Sequence, residues 1–261
     1  MHPSWQTHVV NLGIRLTGMK RRSSSADRTL RHIERLRHRP ARFAPPRFLG
    51  HSMRIRLSQQ DGVPVYTIEP RRAEPRFRVL YFHGGSYAYE ITLYHWLLIR
   101  HVALAIPAEV TVPIYTLSPR ATAGTTVPAM SALLERLLTL QGGSPLTVMG
   151  DSSGGGMALA VAQELRDRRA MQPAHLVLIS PWLDVTASNP RLREIEPRDR
   201  MLGIDGGTAA GKLYAGALDA HHPFVSPLFG DLRDLAPIAV FSGTDDILNP
   251  DACSLVERCA A

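Results

Sequence analysis

A short apolar run, Leu146 to Met149, leads directly into Gly150-Asp151-Ser152-Ser153-Gly154 and then into the small residues Gly155, Gly156, Ala158 and Ala160. No other segment limits the fold as tightly. The run is the right length for a buried strand, and Ser153 to Arg169 is the right length for a helix, so the junction must turn one sharply into the other. Glycines flank the turn because a Cβ would clash where strand and helix approach closely. Such a junction belongs in a sheet covered on both faces.

The rest of the chain supplies that sheet. Arg78 to Phe82, Glu109 to Tyr115, His175 to Ser180 and Ile238 to Ser242 read as further buried strands, and the apolar spacing of Val127 to Leu140 predicts a helix stopped at Gly142-Gly143. Strands alternating with helices imply a mostly parallel sheet with helices on both faces. Met53 to Leu57 and Val63 to Ile68 form an antiparallel pair around the turn Asp61-Gly62. Between Asp184 and Pro223 the order breaks at Pro190, Pro197, Gly203, Gly206 and Gly207, which predicts an insertion. The expected organisation is a basic helical segment 1–48, a core 49–184, a cap insertion 185–223 and the remaining core 224–261.

The 261 residues, 44% hydrophobic, can bury one sizeable core. With a mean hydropathy of −0.07 and no long apolar stretch, the expectation is a soluble chain. Met1 to Gly13 lacks the features of a secretory signal, so a cytoplasmic location is expected. Cys253 and Cys259 are spaced unfavourably for a disulfide on a helix and read as reduced thiols. Metal-ligand spacing is absent, and neither a metal nor another cofactor is expected.

The formal net charge of +7 is uneven, because Arg15 to Arg56 holds thirteen Lys or Arg against Asp27 and Glu34. Trp5, Val9, Leu12 and Leu16 add helical apolar spacing beside it. That block suits a solvated helical annex, with weak contact to an anionic membrane surface conceivable. Aromatic residues do not interleave with the arginines, so no nucleic-acid partner is expected.

In Gly150 to Gly154 the strained turn lifts Ser152 clear of the sheet, where its hydroxyl can act as a nucleophile. His83-Gly84-Gly85-Ser86 closes an earlier strand, and such a turn can aim backbone N–H groups at an oxygen that becomes negative during acyl transfer. Gly84, Gly85, Ser86 and Ser153 are the candidate oxyanion-hole residues. His83 reads as fixing this loop rather than as a base.

Four motifs in order carry a resemblance: His83-Gly-Gly followed by Ser86-Tyr87, Gly150 to Gly155, Ser180-Pro-Trp-Leu-Asp184, and Gly243-Thr-Asp-Asp246. The chain resembles the hormone-sensitive-lipase-like branch of α/β-hydrolase fold esterases from about Phe48 onward. The resemblance implies a small helical cap over a cleft for carboxylic esters, small-molecule or lipid, and a catalytic acid at Asp246, with Asp245 pointing elsewhere. Ser86 replaces the usual third glycine and Ser153 the usual alanine. A positive φ at Ser86 would strain the loop.

For this fold the triad order is Ser, then Asp, then His. After Asp246 the sequence contains no histidine, and a crossover plus one more strand needs more residues than the fifteen that follow. The base, with the last strand and helix, is therefore expected beyond Ala261. His221 and His222 at the end of the insertion are weak substitutes. The expected activity is carboxylic-ester hydrolysis through an acyl-serine, impaired without the histidine. The alternative is a non-catalytic binder of small ligands, because the gibberellin receptors of plants resemble the same branch and also lack the histidine.

Overall fold

The computed structural model describes residues 18–140 and 144–260. The expected helix around Trp5 to Leu16 and the glycine stop at Gly142-Gly143 lie outside the described residues. Seven strands form one sheet in the order β1-β2-β4-β3-β5-β6-β7. They are β1 (Met53–Gln60), β2 (Val63–Pro70), β3 (Phe77–Phe82), β4 (Ala108–Pro113), β5 (Leu146–Asp151), β6 (His175–Ile179) and β7 (Ile238–Phe241). The pairs β1·β2 and β2·β4 are antiparallel and the rest parallel. Asp61 and Gly62 both take positive φ, 50° and 81°, the backbone that matches the twist of a two-residue hairpin.

Helices cover both faces: α1 (Met19–Ser23), α2 (Ala26–His38), α3 (Leu93–Ala105), α4 (Ala123–Thr139), α5 (Ser153–Asp167), α6 (Arg191–Ile195), α7 (Ile204–Ala215) and α8 (Asn249–Ala260). Alternation along β3 divides the core. Leu80 and Phe82 face a cluster built with α4 and α5, while Val79 and Tyr81 face a second cluster with Trp96 and Ile99 of α3. Two elements depart from the sequence expectation for a common reason. Helix α4 begins at Ala123 rather than Val127 because Thr122 and Thr125 form a reciprocal cap. Helix α3, which the apolar spacing did not define, starts from the same device, with His95 in the place usually taken by Glu or Gln.

The inserted stretch packs on the N-terminal helices. A Cβ on Gly206 of α7 would stand 2.2 Å from the carbonyl oxygen of Ser23 in α1 and 2.4 Å from Thr29 Oγ1 in α2, so α1 and α2 meet α7 this closely only because that position has no side chain. Lys20 Nζ donates to the carbonyl of Glu196 at 2.7 Å and Ser23 Oγ to that of Met201 at 2.9 Å. Among the described residues, β7 pairs on one side only, with β6, and Phe241 on it is 60% exposed. Cys253 and Cys259 both lie on α8 as free thiols. Among the described residues no helix is long and apolar enough to cross a membrane.

Candidate functional site

Strand β5 ends at Asp151, α5 begins at Ser153, and Ser152 between them has φ 51° and ψ −121°. A side chain in that conformation is strained, and the surroundings hold it there. The Ser152 N–H donates to the carbonyl of Ile179 at 2.9 Å, while its carbonyl accepts from Trp182 at 2.8 Å and Gly156 at 3.1 Å. The flanking glycines are sterically required. A Cβ on Gly150 would lie 2.2 Å from the Gly154 oxygen, and one on Gly154 would lie 2.0 Å from the Phe82 oxygen. These contacts carry α5 down onto the end of β3.

That descent brings the second loop alongside. Tyr87 N donates to Ser153 Oγ at 3.2 Å, joining the turn after β3 to the turn after β5. Gly85, Ser86 and Tyr87 all have positive φ, 127°, 52° and 57°. Ser86 therefore occupies the left-handed backbone that glycine tolerates best. The candidate donors divide. Gly84 N is engaged, donating to Asp151 Oδ1 at 2.9 Å, whereas among the described residues no protein acceptor takes the N–H of Gly85, Ser86 or Ser153.

His83 is fully buried, its ring stacked on Tyr115 at 4.5 Å. Its Nδ1 faces the carbonyl of Gly84 at 2.7 Å. A carbonyl only accepts, so Nδ1 carries the proton. Nε2 is buried without a partner, and burial, opposed by the Gly84 bond, lowers the ring to about 4. His83 is thus neutral at pH 7. Its own carbonyl accepts from the Tyr115 hydroxyl at 2.7 Å.

Asp246 follows β7 in a turn, where Leu248 N donates to its Oδ1 at 2.9 Å. Burial raises the carboxyl above the usual carboxylate range; bonds from Leu248 and Ser180 oppose this and the charge of Asp199 adds to it. Asp245 is exposed and reaches Arg198 at 3.5 Å, facing away from its neighbour. Ser152 and Asp246 approach the end of β6 from two sides, through Ile179 and Ser180 respectively. An open recess of about 460 Å³ there is lined by Ile179, Ser180, Val240, Phe241, Ser242 and Gly243. His221 pairs with Asp219, and His222 Nδ1 accepts from Phe224 N, so both are occupied locally.

A family model described as α/β-hydrolase fold matches residues 79–261. The chain belongs to the α/β-hydrolase fold family. It is 34% identical over 215 residues to a triacylglycerol lipase of Mycobacterium tuberculosis, covering 81% of this chain and 44% of the relative. An esterase of Acinetobacter venetianus is 31% identical over 210 residues, 79% of this chain and 69% of that protein. The chain thus spans 44% of the lipase, and 65% of a second Mycobacterium tuberculosis relative at 36% identity. The crystal structure of an esterase from the bacterial hormone-sensitive lipase family superposes with a TM-score of 0.79 at 26% identity, over 100% of this chain and 85% of that one. The chain is a hormone-sensitive-lipase-like member of the family.

Sequence reasoning passed over three residues around this site. These are Asp151, inside the glycine-flanked motif, Tyr81, inside the apolar run Arg78 to Phe82, and His95, for which the sequence suggests a core or surface role. In the fold, Tyr81 OH donates to Asp151 Oδ1 and His95 Nε2 lies 3.2 Å from Asp151 Oδ2. Burial would raise the Asp151 carboxyl, but bonds from His95, Tyr81 and Gly84 outweigh it and hold the group below its usual value. Nothing in the spacing of the three residues announces that meeting.

Proposed function

We propose that this chain is built for the hydrolysis of carboxylic esters, small-molecule or lipid, through an acyl-serine intermediate. The observation that carries the reading is the strained Ser152 beside three unclaimed main-chain donors from two loops. Ser152 Oγ attacks the acyl carbon, and the N–H groups of Gly85, Ser86 and Ser153 receive the charge that develops on the carbonyl oxygen. The C–O bond to the alcohol breaks, the alcohol leaves with a proton, and water releases the acid from the serine. Gly84 has its N–H committed to Asp151 and contributes by shaping the loop.

Asp246 serves to orient a histidine that takes the serine proton. Among the described residues no histidine hydrogen-bonds Ser152 or Asp246, and the neutral, buried His83 is tied to its own loop. With these residues alone, turnover falls well below that of a full triad, though donors and binding still leave about 10³ to 10⁴ over water. The α1, α2 and 185–223 segments form the cap that sets acyl and alcohol preference, and their exposed arginines suit weak contact with an anionic membrane.

Incubation with p-nitrophenyl acetate and with a fluorophosphonate tests the reading. Slow hydrolysis and labelling, both abolished in Ser152→Ala, are the expected results. Labelling that persists in Ser152→Ala would remove Ser152 as the nucleophile, and saturable ligand binding with neither reaction would replace this reading with the non-catalytic one.

A further inference from the structure

His95 sits in the first turn of α3, the helix that follows the turn after β3, and its ring bridges Thr92 and Asp151. Nδ1 faces the backbone N–H of Thr92 at 2.9 Å. A backbone amide only donates, so Nδ1 holds the lone pair and the neutral ring carries its proton on Nε2. That N–H points at Asp151 Oδ2, 3.2 Å away. The other carboxylate oxygen, Oδ1, takes the Tyr81 hydroxyl and the Gly84 N–H. Among the described residues neither Lys nor Arg pairs with Asp151, so the His95 Nε2–H, the Tyr81 hydroxyl and the Gly84 N–H hold its charge.

The loop has no slack around this carboxylate. A Cβ on Gly84 would stand 2.3 Å from Asp151 Oδ2, so the backbone of the loop rests directly against it. Gly85 and Ser86 follow at once in left-handed conformations that the chain would not keep unaided.

We propose that His95 is a positioning residue: through Asp151 it fixes the Gly84 amide and thereby the aim of the Gly85 and Ser86 N–H groups beside Ser152. The inference rests on the reading of those N–H groups as oxyanion donors. Without His95, Oδ2 loses its donor, the carboxylate is free to turn, and the bond from Gly84 weakens. A displacement of about 1 Å at a donor corresponds to about 10²-fold in rate.

Two measurements on the full chain separate this inference from the esterase reading. Hydrogen exchange at the Gly84 amide requires no turnover; it is expected to accelerate at least about tenfold in His95→Ala while the Val148 amide in β5 is unchanged. His95→Gln, whose Nε2–H can reach Asp151, restores it. Fluorophosphonate labelling of Ser152 follows the same order, slow in His95→Ala and recovered in His95→Gln, with the loss in the labelling step rather than in reagent binding. Gly84 exchange within twofold of the parent in His95→Ala, or a glutamine variant as fast as the alanine one, overturns the inference. Absent labelling in the parent chain bears on the serine alone, and exchange still decides the role of His95.

Discussion

Asp251, in the first turn of α8, is 1% exposed, and replacing it by asparagine should stabilise the protein in a strongly pH-dependent way. One oxygen, Oδ1, accepts from Asn189 Nδ2 at 3.2 Å, while Oδ2 is buried without a partner. Burial first, and then the charge of Asp184, raise this carboxyl to about 6 against only the Asn189 bond. The unfolded chain ionises the same group near 3.8. Between these two values the folded state holds the proton and the unfolded state releases it, so stability falls as pH rises from about 4 to 6 and is level above. The gap between 3.8 and about 6 corresponds to about 3 kcal/mol. Asp251→Asn keeps the shape and the acceptor for Asn189 but has no charge to bury. Urea unfolding of both chains should coincide at pH 4 and diverge by about 2 to 3 kcal/mol at pH 7.5, the variant being the more stable. A difference that is constant with pH, or smaller than about 1 kcal/mol at pH 7.5, would refute the account of a carboxylate buried at a loss.

Gly154→Ala places a methyl 2.0 Å from the Phe82 carbonyl oxygen, backbone against backbone, and should lower stability by about 3 kcal/mol and abolish Ser152 labelling. Gly207→Ala in α7 meets only the Trp182 ring at 3.9 Å and should be neutral or stabilising by up to about 1 kcal/mol; equal denaturation midpoints for the two variants would contradict the packing described. Ser86→Gly relieves a side chain held at φ 52° and should add about 0.5 to 1 kcal/mol, with labelling retained. Loss of stability there would mean that the Ser86 hydroxyl matters more than its backbone.

Local chemistry made much of the fold legible. The Asp61-Gly62 hairpin, the β5 to α5 junction and the alternation of strand and helix each follow from residues adjacent in the chain. Helix α3 was less legible because its cap uses histidine at the third position and its apolar residues lie on all sides rather than on one stripe. Within the site, the turn at Ser152 could be read from its glycines. The engagement of Gly84 could not, since its partner lies 67 residues away in sequence.

The residue types therefore determined which turns could form: glycine where backbones touch, small residues where a helix crosses a strand end, and aspartate where a turn needs an acceptor. Only the tertiary structure decided which groups these turns would face. Parallel pairing of β3 with β5 sets Phe82 beside Gly150, and that register carries Asp151 to Gly84 and Ser153 to Tyr87, while the packing of α3 on the sheet carries His95 to Asp151. Side-chain and main-chain polar groups find partners across such distances through strand register and helix packing, and no spacing along the chain encodes either one.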